Sequence, residues 1–384
     1  MSIFKKAMIL LLSIFLLLTL AVVIIFQQKS FGKNPSGARL EKIKLSPNYK
    51  NGSFQNLSET PMMSDEGSYW KLIKEYFSKK QNTEPSAIIP SVKTDLKVQP
   101  SQEPSIVWFG HSSYFIQIDG LNILVDPVFS ERTSPVKYVG SKNYPGTSVY
   151  SVEDFPLIDI LLISHDHYDH LDFETVSKLI SKTGRIITPL GVGEHLEFWG
   201  VPQNKISEFD WWEETNITDK IKLAITPARH FSGRGILNRN QTLWASFALI
   251  TPTHRLFLGG DSGYDKHFKE IGNKYGPFDI AILESGQYNE MWPYIHMLPE
   301  QTVQANIDLK SKVLFPVHWG KFTLALHAWN EPVERVLKYA QKTEVKVTTP
   351  MIGEKVIINK NYPVNHWWTL NLPAALNEEV LNKE

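Results

Sequence analysis

The chain has 384 residues, with 40 basic and 40 acidic side chains, 12 histidines and no cysteine. A chain of this length can bury a large core, and a hydrophobic content of 42% is typical of a folded protein. The formal net charge of zero gives no general attraction for nucleic acid, so we expect no nucleic-acid partner. The lack of cysteine excludes disulfides, thiolate zinc sites and iron–sulfur clusters. Any metal site must therefore use histidine and carboxylate.

The first apolar segment, residues 7–26, carries no charge and follows Lys5 and Lys6. Its length matches the roughly 20 residues that a helix needs to cross a bilayer. A cleaved signal peptide is the alternative, but its apolar stretch is usually about 7–15 residues, and Phe26-Gln27-Gln28-Lys29 is a poor cleavage site. The sequence predicts a short N-terminal tail at 1–6 and an uncleaved, single-pass membrane anchor. The short tail favours a catalytic domain outside the cytoplasm.

Residues 27–104 are rich in Ser, Asn, Pro and Lys, which predicts a linker and N-terminal extension. Within them, aromatic and aliphatic residues recur at helical spacing from Tyr69 to Phe77. This pattern favours a short amphipathic helix packed on the core, and the alternative is an aromatic face that contacts lipid.

From residue 105 the chain alternates short apolar runs with turn signals and helical patterns, which predicts an α/β domain with large sheets over residues 105–360 and a C-terminal tail at 361–384. Asp119-Gly120 predicts a hairpin turn. Helices are predicted at 173–181 and 299–309. Strands are predicted at 106–109, 114–118, 123–125, 158–163, 186–188, 222–226, 246–250, 256–258, 280–283, 312–315 and 355–358.

The strongest chemical signal follows the predicted strand at 158–163. There the sequence SHDHYDHLD, residues 164–172, brings three histidines together with aspartates. A loop at a strand end can turn several side chains toward one point, and imidazole with carboxylate suits zinc, iron or manganese. A polar surface turn is the alternative, but such turns seldom combine these residues.

One loop cannot close a metal site alone, so further ligands are expected at other strand ends. His230 follows the strand at 222–226, Asp261 follows the strand at 256–258, and His318 follows the strand at 312–315. A single histidine is more often a packing or surface residue than a ligand. Three candidates at equivalent strand ends favour a site for two metals, because the combined set exceeds the needs of one tetrahedral zinc.

These segments resemble the metallo-β-lactamase superfamily and, more narrowly, the N-acyl-phosphatidylethanolamine-hydrolysing phospholipase D family. The HxHxDH motif of residues 165–170 is typical of the superfamily, whereas FDWWEE and GPFDIAIL through YIHMLPEQTV are more specific. Other matching segments are WFGHSSYFIQIDG, LVDPVFSERTSP, TPARHF, FLGGDSGY and HWGKFTLA. The resemblance implies an αβ/βα four-layer sandwich with a binuclear zinc site at one edge.

The resemblance also implies roles for individual residues. His165, His167 and His230 would bind one zinc, Asp169, His170 and His318 the other, and Asp261 would bridge them. A hydroxide shared by the two ions would attack the phosphorus of a phospholipid, with Asp169 as a candidate proton shuttle and His296 holding the phosphate. The implied activity is phospholipase D-type cleavage of N-acyl-phosphatidylethanolamine or a related phospholipid. A zinc-dependent lactonase or another hydrolase of small esters or amides is the alternative, since fold does not fix substrate.

Weaker candidates surround this set. Asp126 and Asp172 are predicted to hold ligating histidines from behind, and the alternative for each is a turn aspartate. His111 either lines the site or only forms hydrogen bonds within a loop. The remaining histidines, His195, His254, His267, His327 and His366, are predicted to be surface or packing residues. The tryptophans at 211–212, 292 and 367–368 are predicted to be core residues, with a lipid-facing rim as the alternative.

Overall fold

The computed structural model describes residues 3–65, 67–78, 82–98, 103–235 and 238–371. Helix α1, Ile3–Phe26, contains the predicted apolar segment, and its most apolar stretch is not buried against the rest of the chain. Its 24 residues span about 36 Å as a helix, which is enough to cross a membrane. It is the one such helix among the described residues, on grounds of length and composition.

The remaining helices are short and lie outside the sheets. They are α2 Gly37–Lys44, α3 Tyr69–Phe77, α4 Phe173–Leu179, α5 Gly193–Phe198, α6 His267–Lys274, α7 Pro299–Asp308 and α8 Glu331–Lys342. Single 3₁₀ turns are Lys29–Phe31, Val152–Asp154, Ile180–Lys182, Gln203–Lys205 and Trp367–Asn371. Helix α7 begins with Pro299, whose missing amide hydrogen is not needed in the first turn of a helix.

Within the described residues the strands form a two-stranded hairpin and two seven-stranded sheets. The hairpin is β1 Tyr49–Lys50 with β2 Ser53–Phe54. The first large sheet uses β3 Ser105–Trp108, β4 Tyr114–Ile118, β5 Leu121–Val125, β6 Ile158–Leu162, β7 Thr183–Pro189, β8 Ile206–Phe209 and β16 Lys355–Ile357. Its strand order is β16-β3-β4-β5-β6-β7-β8, with β5 to β8 parallel.

The second large sheet has the order β15-β14-β13-β12-β11-β10-β9, with β12 to β15 parallel. Its strands are β9 Glu214–Thr218, β10 Ile221–Thr226, β11 Ser246–Ile250, β12 Arg255–Leu258, β13 Ile280–Glu284, β14 Val313–Val317 and β15 Lys346–Val347. The predicted strands are confirmed with small shifts of their ends, whereas β1, β2, β8, β9 and β15 were not predicted. Strand β9 has the sequence ETNIT and alternates between exposed and half-buried positions, so it lacks the buried apolar run that marked the others.

Three clusters of buried side chains define the layers. The largest lies between the sheets and takes Ile160 and Ile187 from the first and Ile225 and Ile282 from the second. A second cluster packs the outer face of the first sheet against α4 and α5, and a third packs the outer face of the second sheet against α6, α7 and α8. The order helix, sheet, sheet, helix confirms the predicted αβ/βα sandwich.

The turn between β4 and β5 shows how local sequence fixes register. Asp119 and Gly120 both adopt positive φ angles of 47° and 80°, and Ile118 pairs with Leu121. Two consecutive positive φ values make the tight hairpin turn that suits the twist of the strands. The predicted hairpin at this dipeptide is therefore confirmed.

Segments on both sides of the 105–360 region pack into the domain. Ile43, Phe54 and Ile89 from the predicted extension are 0–1% exposed, and Trp367 and Trp368 from the predicted tail are each 1% exposed. All five belong to the cluster between the sheets. The described parts of these two segments thus contribute to the core, while residues 372–384 lie outside the described residues.

Helix α3 forms where the periodicity predicts it, but its expected packing on the core is wrong. Trp70, Tyr76 and Phe77 are 77%, 69% and 76% exposed. The outer faces of both sheets are already covered by α4 to α8, so α3 has no apolar face of the core to cover. Its aromatic side chains face solvent instead.

Candidate metal centre

The candidate site lies along one edge of the sandwich, where strands of both sheets end. The loop 163–172 follows β6, while His230, Asp261 and His318 follow β10, β12 and β14. Carboxyl ends of parallel strands share one edge of a sheet, and β6 runs parallel to β5 and β7, as β13 does to β12 and β14. Strand β10 is antiparallel to β11, which is antiparallel to β12, so β10 ends at the same edge as β12. This topology explains why residues separated by some 150 positions meet.

Gly260 permits the close approach of the two sheets at this edge. A Cβ atom at residue 260 would lie 2.5 Å from the carbonyl oxygen of Ala245 and 2.8 Å from Cβ of Ser164. Ser164 precedes the metal-motif histidines, and Gly260 precedes Asp261. The lack of a side chain at 260 therefore lets the second sheet bring Asp261 against the loop of the first.

One group of candidate ligands is His165, His167, His230 and Asp261. Nε2 of His165 lies 2.8 Å from Nδ1 of His167, which in turn lies 3.2 Å from Nε2 of His230. Oδ2 of Asp261 is 3.9 Å from Nε2 of His165 and 3.7 Å from Nε2 of His230. Four ligand atoms therefore surround one point.

The neighbouring group is His111, Asp169, His170 and His318. Oδ1 of Asp261, the second oxygen of the same carboxylate, lies 3.2 Å from Nε2 of His170 and 3.2 Å from Nδ1 of His318. Asp261 thus faces one group with each oxygen. The structure brings together the seven predicted ligands and places Asp261 between the two sets.

Hydrogen bonds behind the ligands fix the orientation of the imidazole rings. Asp126 accepts from Nδ1 of His170 at 2.8 Å and from the hydroxyl of Ser164 at 2.5 Å. Nδ1 of His165 contacts the same hydroxyl at 3.0 Å. A proton held on Nδ1 leaves Nε2 with its lone pair toward the centre, which is how carboxylates usually orient ligating histidines. Asp126 therefore lies where the sequence predicts it, behind a candidate ligand.

His230 is held by two parts of the chain that are distant in sequence. Its Nδ1 donates to the carbonyl of Ile295 at 2.8 Å. Its backbone exchanges two hydrogen bonds with the side chain of Asn56, at 2.7 Å and 3.1 Å. The N-terminal extension thus positions a candidate ligand, and the chain upstream of residue 105 carries no motif that would have revealed it.

Burial and charge set the protonation of the cluster. Burial lowers the pKa of His165, His230 and His318 well below the usual value, so these rings are neutral with a free lone pair at neutral pH. Burial would also lower the pKa of His170, but the carboxylates of Asp261, Asp169 and Asp126 outweigh it and raise this pKa well above the usual value. Burial alone would raise the pKa of Asp261, but the surrounding imidazoles hold it well below.

The residues fit a pair of divalent metal ions. Nε2 of His170 and Oδ1 of Asp261 are buried and lack hydrogen-bond partners among the described residues. Buried polar atoms without partners are rare and call for a ligand. Five imidazoles and two carboxylates form a donor set that suits zinc, and a cation would occupy the space that these unpartnered atoms face.

His111 has a defined place in the second group. Its Nε2 donates to Oδ2 of Asp169 at 2.8 Å, and its ring contacts that of His318 at a tilt of 40°, with centroids 4.1 Å apart. Its ring is fully buried, and Nδ1 has no hydrogen-bond partner among the described residues. Of the two predicted alternatives, the structure favours a residue that lines the site and holds Asp169.

Asp172 does not hold a ligand. Its carboxylate accepts hydrogen bonds from the hydroxyls of Ser130 and Thr175 and from the amides of Ser130 and Glu174. It is therefore the N-cap of α4, and its predicted place behind a ligating histidine is wrong. Helix α4 starts directly after the motif loop, so the cap requirement and the metal motif overlap in sequence.

His296 lies beside the two groups, with its ring centroid 5.3 Å from that of His318 and 5.0 Å from that of His230. Its Nδ1 is 3.4 Å from Oε1 of Glu284, a side chain 1% exposed at the end of β13. Burial raises the pKa of Glu284 to about 7. Although burial alone would lower the pKa of His296, Glu284 raises it. Sequence analysis missed Glu284, although it ends a strand at the same edge.

The open face of the centre is a cavity of about 210 Å³. Besides candidate ligands and His296, the cavity is lined by the polar side chain of Gln287 and by four apolar side chains, namely Phe231, Trp292, Ile295 and Leu324. Trp292 thus borders the site, whereas Trp211, Trp367 and Trp368 are core residues as predicted. Among the other histidines, His195 and His267 are buried packing residues, and His195 contacts Asp166 at 3.2 Å.

The sequence profile described as "Beta-lactamase superfamily domain" matches residues 121–319, the part of the chain that supplies Asp169, Asp261 and His318. The chain belongs to this superfamily. A solved relative supports the fold alone: the isothiocyanate hydrolase from Delia radicum gut bacteria is 18% identical, with a TM-score of 0.53, and the alignment covers 66% of this chain and 99% of that one.

Three relatives place the chain within the superfamily. An uncharacterised protein of Mycobacterium tuberculosis is 43% identical over 330 residues, which cover 85% of this chain and 88% of that one. An N-acyl-phosphatidylethanolamine-hydrolysing phospholipase D of Caenorhabditis elegans is 31% identical, covering 56% of this chain and 64% of its own length. A mitochondrial protein of the same name from Saccharomyces cerevisiae is 34% identical, covering 61% and 51%. The chain is a metallo-β-lactamase-fold hydrolase with phospholipase D-like homologues.

Proposed function

We propose that the chain is a binuclear zinc phosphodiesterase of the phospholipase D type, which cleaves N-acyl-phosphatidylethanolamine or a related phospholipid. The observation that carries the proposal is the division of the candidate ligands into two groups that share Asp261. Two divalent ions bound there would acidify a bound water and neutralise the charge of a phosphodiester, which otherwise resists attack.

In this reaction the side chains of the protein would bind the metal ions and orient the ligating rings. His165, His167 and His230 would hold one ion, and Asp169, His170 and His318 would hold the other. The carboxylate of Asp126 and the carbonyl of Ile295 keep the protons of His170 and His230 on Nδ1. Both rings therefore present Nε2 to the centre throughout turnover.

His296 and Asp169 act on the substrate. His296 lines the cavity, and Glu284 raises its pKa and so favours the protonated ring, which would donate to a phosphoryl oxygen and hold the headgroup. Asp169 also lines the cavity and carries the proton to the leaving alcohol oxygen. Water adds to phosphorus, the bond from phosphorus to the alcohol breaks, and the products are phosphatidic acid and an N-acylethanolamine.

Three features support a lipid rather than a small soluble ester. The cavity has an apolar border of Phe231, Trp292, Ile295 and Leu324, which suits the chains of a lipid next to its phosphate. Two homologues carry the phospholipase D name, at 31% and 34% identity. Trp70, Tyr76 and Phe77 on α3 add an exposed aromatic face that suits a membrane surface.

The test is turnover of defined lipids by the full chain with bound zinc. We expect phosphatidic acid and N-acylethanolamine from N-acyl-phosphatidylethanolamine. A panel of lactones tests the alternative hydrolase in the same preparation. If the metal-loaded protein yields no lipid product, the phospholipase proposal fails, and higher efficiency on a lactone would assign the alternative activity.

We also propose that α1 is a single-pass anchor and that the catalytic domain lies outside the cytoplasm. Since the chain has no cysteine, a single introduced cysteine reports its own location. In intact cells, a membrane-impermeant maleimide should label Lys220→Cys, which is exposed on the domain, and not Lys5→Cys. The reverse pattern would contradict this topology, and release of the protein into the medium would indicate a cleaved signal.

A further inference from the structure

A second cavity, of about 250 Å³, lies at the base of α1. It is lined by residues 28–30, by the loop 130–137, by Tyr168 and Asp172 of the metal-motif loop with the first two residues of α4, and by Arg234. Among the described residues, it shares no lining side chain with the cavity of the metal centre. Its volume is at the small end for ligand sites and suits a headgroup rather than a whole lipid.

The chain beside this cavity is fixed to the domain directly after α1. Nε1 of Trp199 donates to the carbonyl of Lys29 at 2.7 Å, and the hydroxyl of Ser30 donates to the carbonyl of Pro135 at 2.6 Å. Lys29 is three residues beyond Phe26, the last residue of α1, so the two are separated by at most about 10 Å. If α1 crosses a membrane, the cavity lies at the level of the lipid headgroups.

The cavity contains a buried cation without an anionic partner. Arg234 is 1% exposed, and its guanidinium donates to the backbone carbonyls of Asp166, Leu171 and Ser30 at 2.6–2.8 Å. Among the described residues, its Nε has no hydrogen-bond partner. The nearby carboxylates of Asp166 and Asp172 attract the guanidinium, but its hydrogen bonds go to backbone carbonyls and not to these carboxylates. An unpaired buried charge is strongly unfavourable, so this arginine calls for an anion in the cavity.

The other charges that line the cavity favour an anion as well. Lys29, Arg132 and Lys137 add positive charge. Of the lining carboxylates, Glu131 pairs with Lys142 at 2.7 Å, and Asp172 accepts four hydrogen bonds as the cap of α4. Glu174, the remaining lining carboxylate, is exposed.

We propose that this cavity binds a phosphate group, the headgroup phosphate of an anionic phospholipid in the leaflet next to α1. It is a second anion site, distinct from the metal centre. The lipid source rests on the proposed membrane anchor, whereas binding of the phosphate itself does not.

An anion in this cavity would affect the metal centre through its contact with Arg234. Arg234 holds the carbonyls of Asp166 and Leu171, which flank the candidate ligands of the motif loop. Its guanidinium also lies 4.1 Å from the ring centroid of Tyr168, and the Tyr168 hydroxyl donates to the Arg234 carbonyl. An anion that neutralises Arg234 would therefore stabilise the loop that carries His167 and Asp169.

The test measures thermal stability of the full metal-loaded chain in phosphatidylcholine nanodiscs, with and without phosphatidylglycerol. The double variant Arg132→Gln/Lys137→Gln removes two cations of the cavity and leaves Arg234, whose loss endangers folding. The double variant Lys178→Gln/Lys220→Gln is the matched control, because it removes the same charge from exposed positions outside the cavity. A third arm replaces phosphatidylglycerol with soluble glycerol 3-phosphate.

We expect phosphatidylglycerol to raise the Tm of the wild type and the control by about 3–5 °C and that of the cavity variant by much less. A rise with the lipid alone supports a membrane source. An equal rise with glycerol 3-phosphate supports a phosphate site that takes either source, and a rise with the soluble probe alone overturns the lipid source. Binding at the metal centre alone would give the same rise in Tm in both double variants, and that result would overturn the proposed site. No rise in the Tm of the wild type would overturn it as well. Because stability is the readout, the result does not depend on phospholipase turnover.

Discussion

The two sheets of the sandwich supply the candidate ligands in different ways. The first sheet contributes His165, His167, Asp169 and His170 from one loop after β6. The second contributes His230, Asp261 and His318, each from a separate strand end. The first set is local in sequence, so a single loop conformation assembles it. The second set is assembled only when strands β10, β12 and β14 are aligned, so it depends on the whole sheet.

This difference determines which residues support each set. The first set is stabilised from within its own sheet, by Asp126 at the end of β5 and by Ser164 in the loop itself. In the second set, His230 depends on Asn56 in the N-terminal extension and on the carbonyl of Ile295. Metal binding by the ligands of the second sheet should therefore be more sensitive to substitutions far away in sequence than metal binding by those of the first sheet.

The largest expected effect is at Asp261, whose two carboxylate oxygens face the two groups of candidate metal ligands. Asp261→Ala should reduce turnover by about 1,000-fold or more and lower the metal content, because one carboxylate serves both groups. Activity assays and elemental analysis of the same sample measure this. Asp219→Ala, at an exposed turn, is the control. Normal turnover of Asp261→Ala would overturn the ligand assignment.

The next largest effect is expected at Lys321, which connects the two sheets by hydrogen bonds. Lys321, 1% exposed after β14, donates to the carbonyls of Phe109 and Val128 beside the first sheet. Burial lowers the pKa of Lys321 to about 8. Between about pH 8 and 10.5 the unfolded chain binds more protons than the folded one, so the free energy of unfolding should rise with pH by roughly 3 kcal/mol.

Denaturant unfolding of the wild type and Lys321→Met across this pH range measures the contribution. In Lys321→Met most of the rise in the free energy of unfolding with pH should be lost, whatever the stability of this variant at pH 7. An identical slope in both proteins would show that Lys321 is not the group responsible.

Support of the first set is tested at Asp126. Asp126→Asn should lower metal affinity about 10–100-fold, because His170 loses the carboxylate that holds its proton on Nδ1. Competition with a chelator gives the affinity. Unchanged affinity would mean that Asp126 has only a local structural role.

Support of the second set is tested at Asn56. Asn56→Ala removes both hydrogen bonds to the backbone of His230 and should cost about 1–2 kcal/mol of stability. It should also weaken metal binding, although Asn56 contacts no candidate ligand of the first loop. If metal binding is unchanged, the second set does not depend on the extension in the way described.

The smallest effect separates the two aspartates that sequence analysis treated alike. Asp172→Ala should lower stability by about 1 kcal/mol through loss of the α4 cap and leave metal affinity unchanged. Thermal unfolding and chelator competition on one preparation distinguish the two quantities. A drop in metal affinity comparable to that of Asp126→Asn would restore the original expectation for Asp172.

Local sequence patterns predicted an α/β domain with large sheets and grouped the candidate ligands at strand ends, because buried strands and the HxHxDH motif are local. The αβ/βα sandwich itself was implied by the family resemblance. It was not sufficient for Asn56, whose role arises from tertiary contact with His230. Glu284 could have been found by the rule that selected Asp261, because it also ends a strand at the active edge. The packing of α3 was mispredicted because an amphipathic stripe shows that a helix has an apolar face, not what covers it.

The central claim is that the two ligand sets together hold two metal ions in the working enzyme. Its most direct test is elemental analysis of gently purified full-length protein, with turnover of N-acyl-phosphatidylethanolamine measured on the same sample. The account predicts about two divalent ions per chain and activity that falls as a chelator removes them. Fewer than one ion per chain in a sample that remains fully active would contradict it.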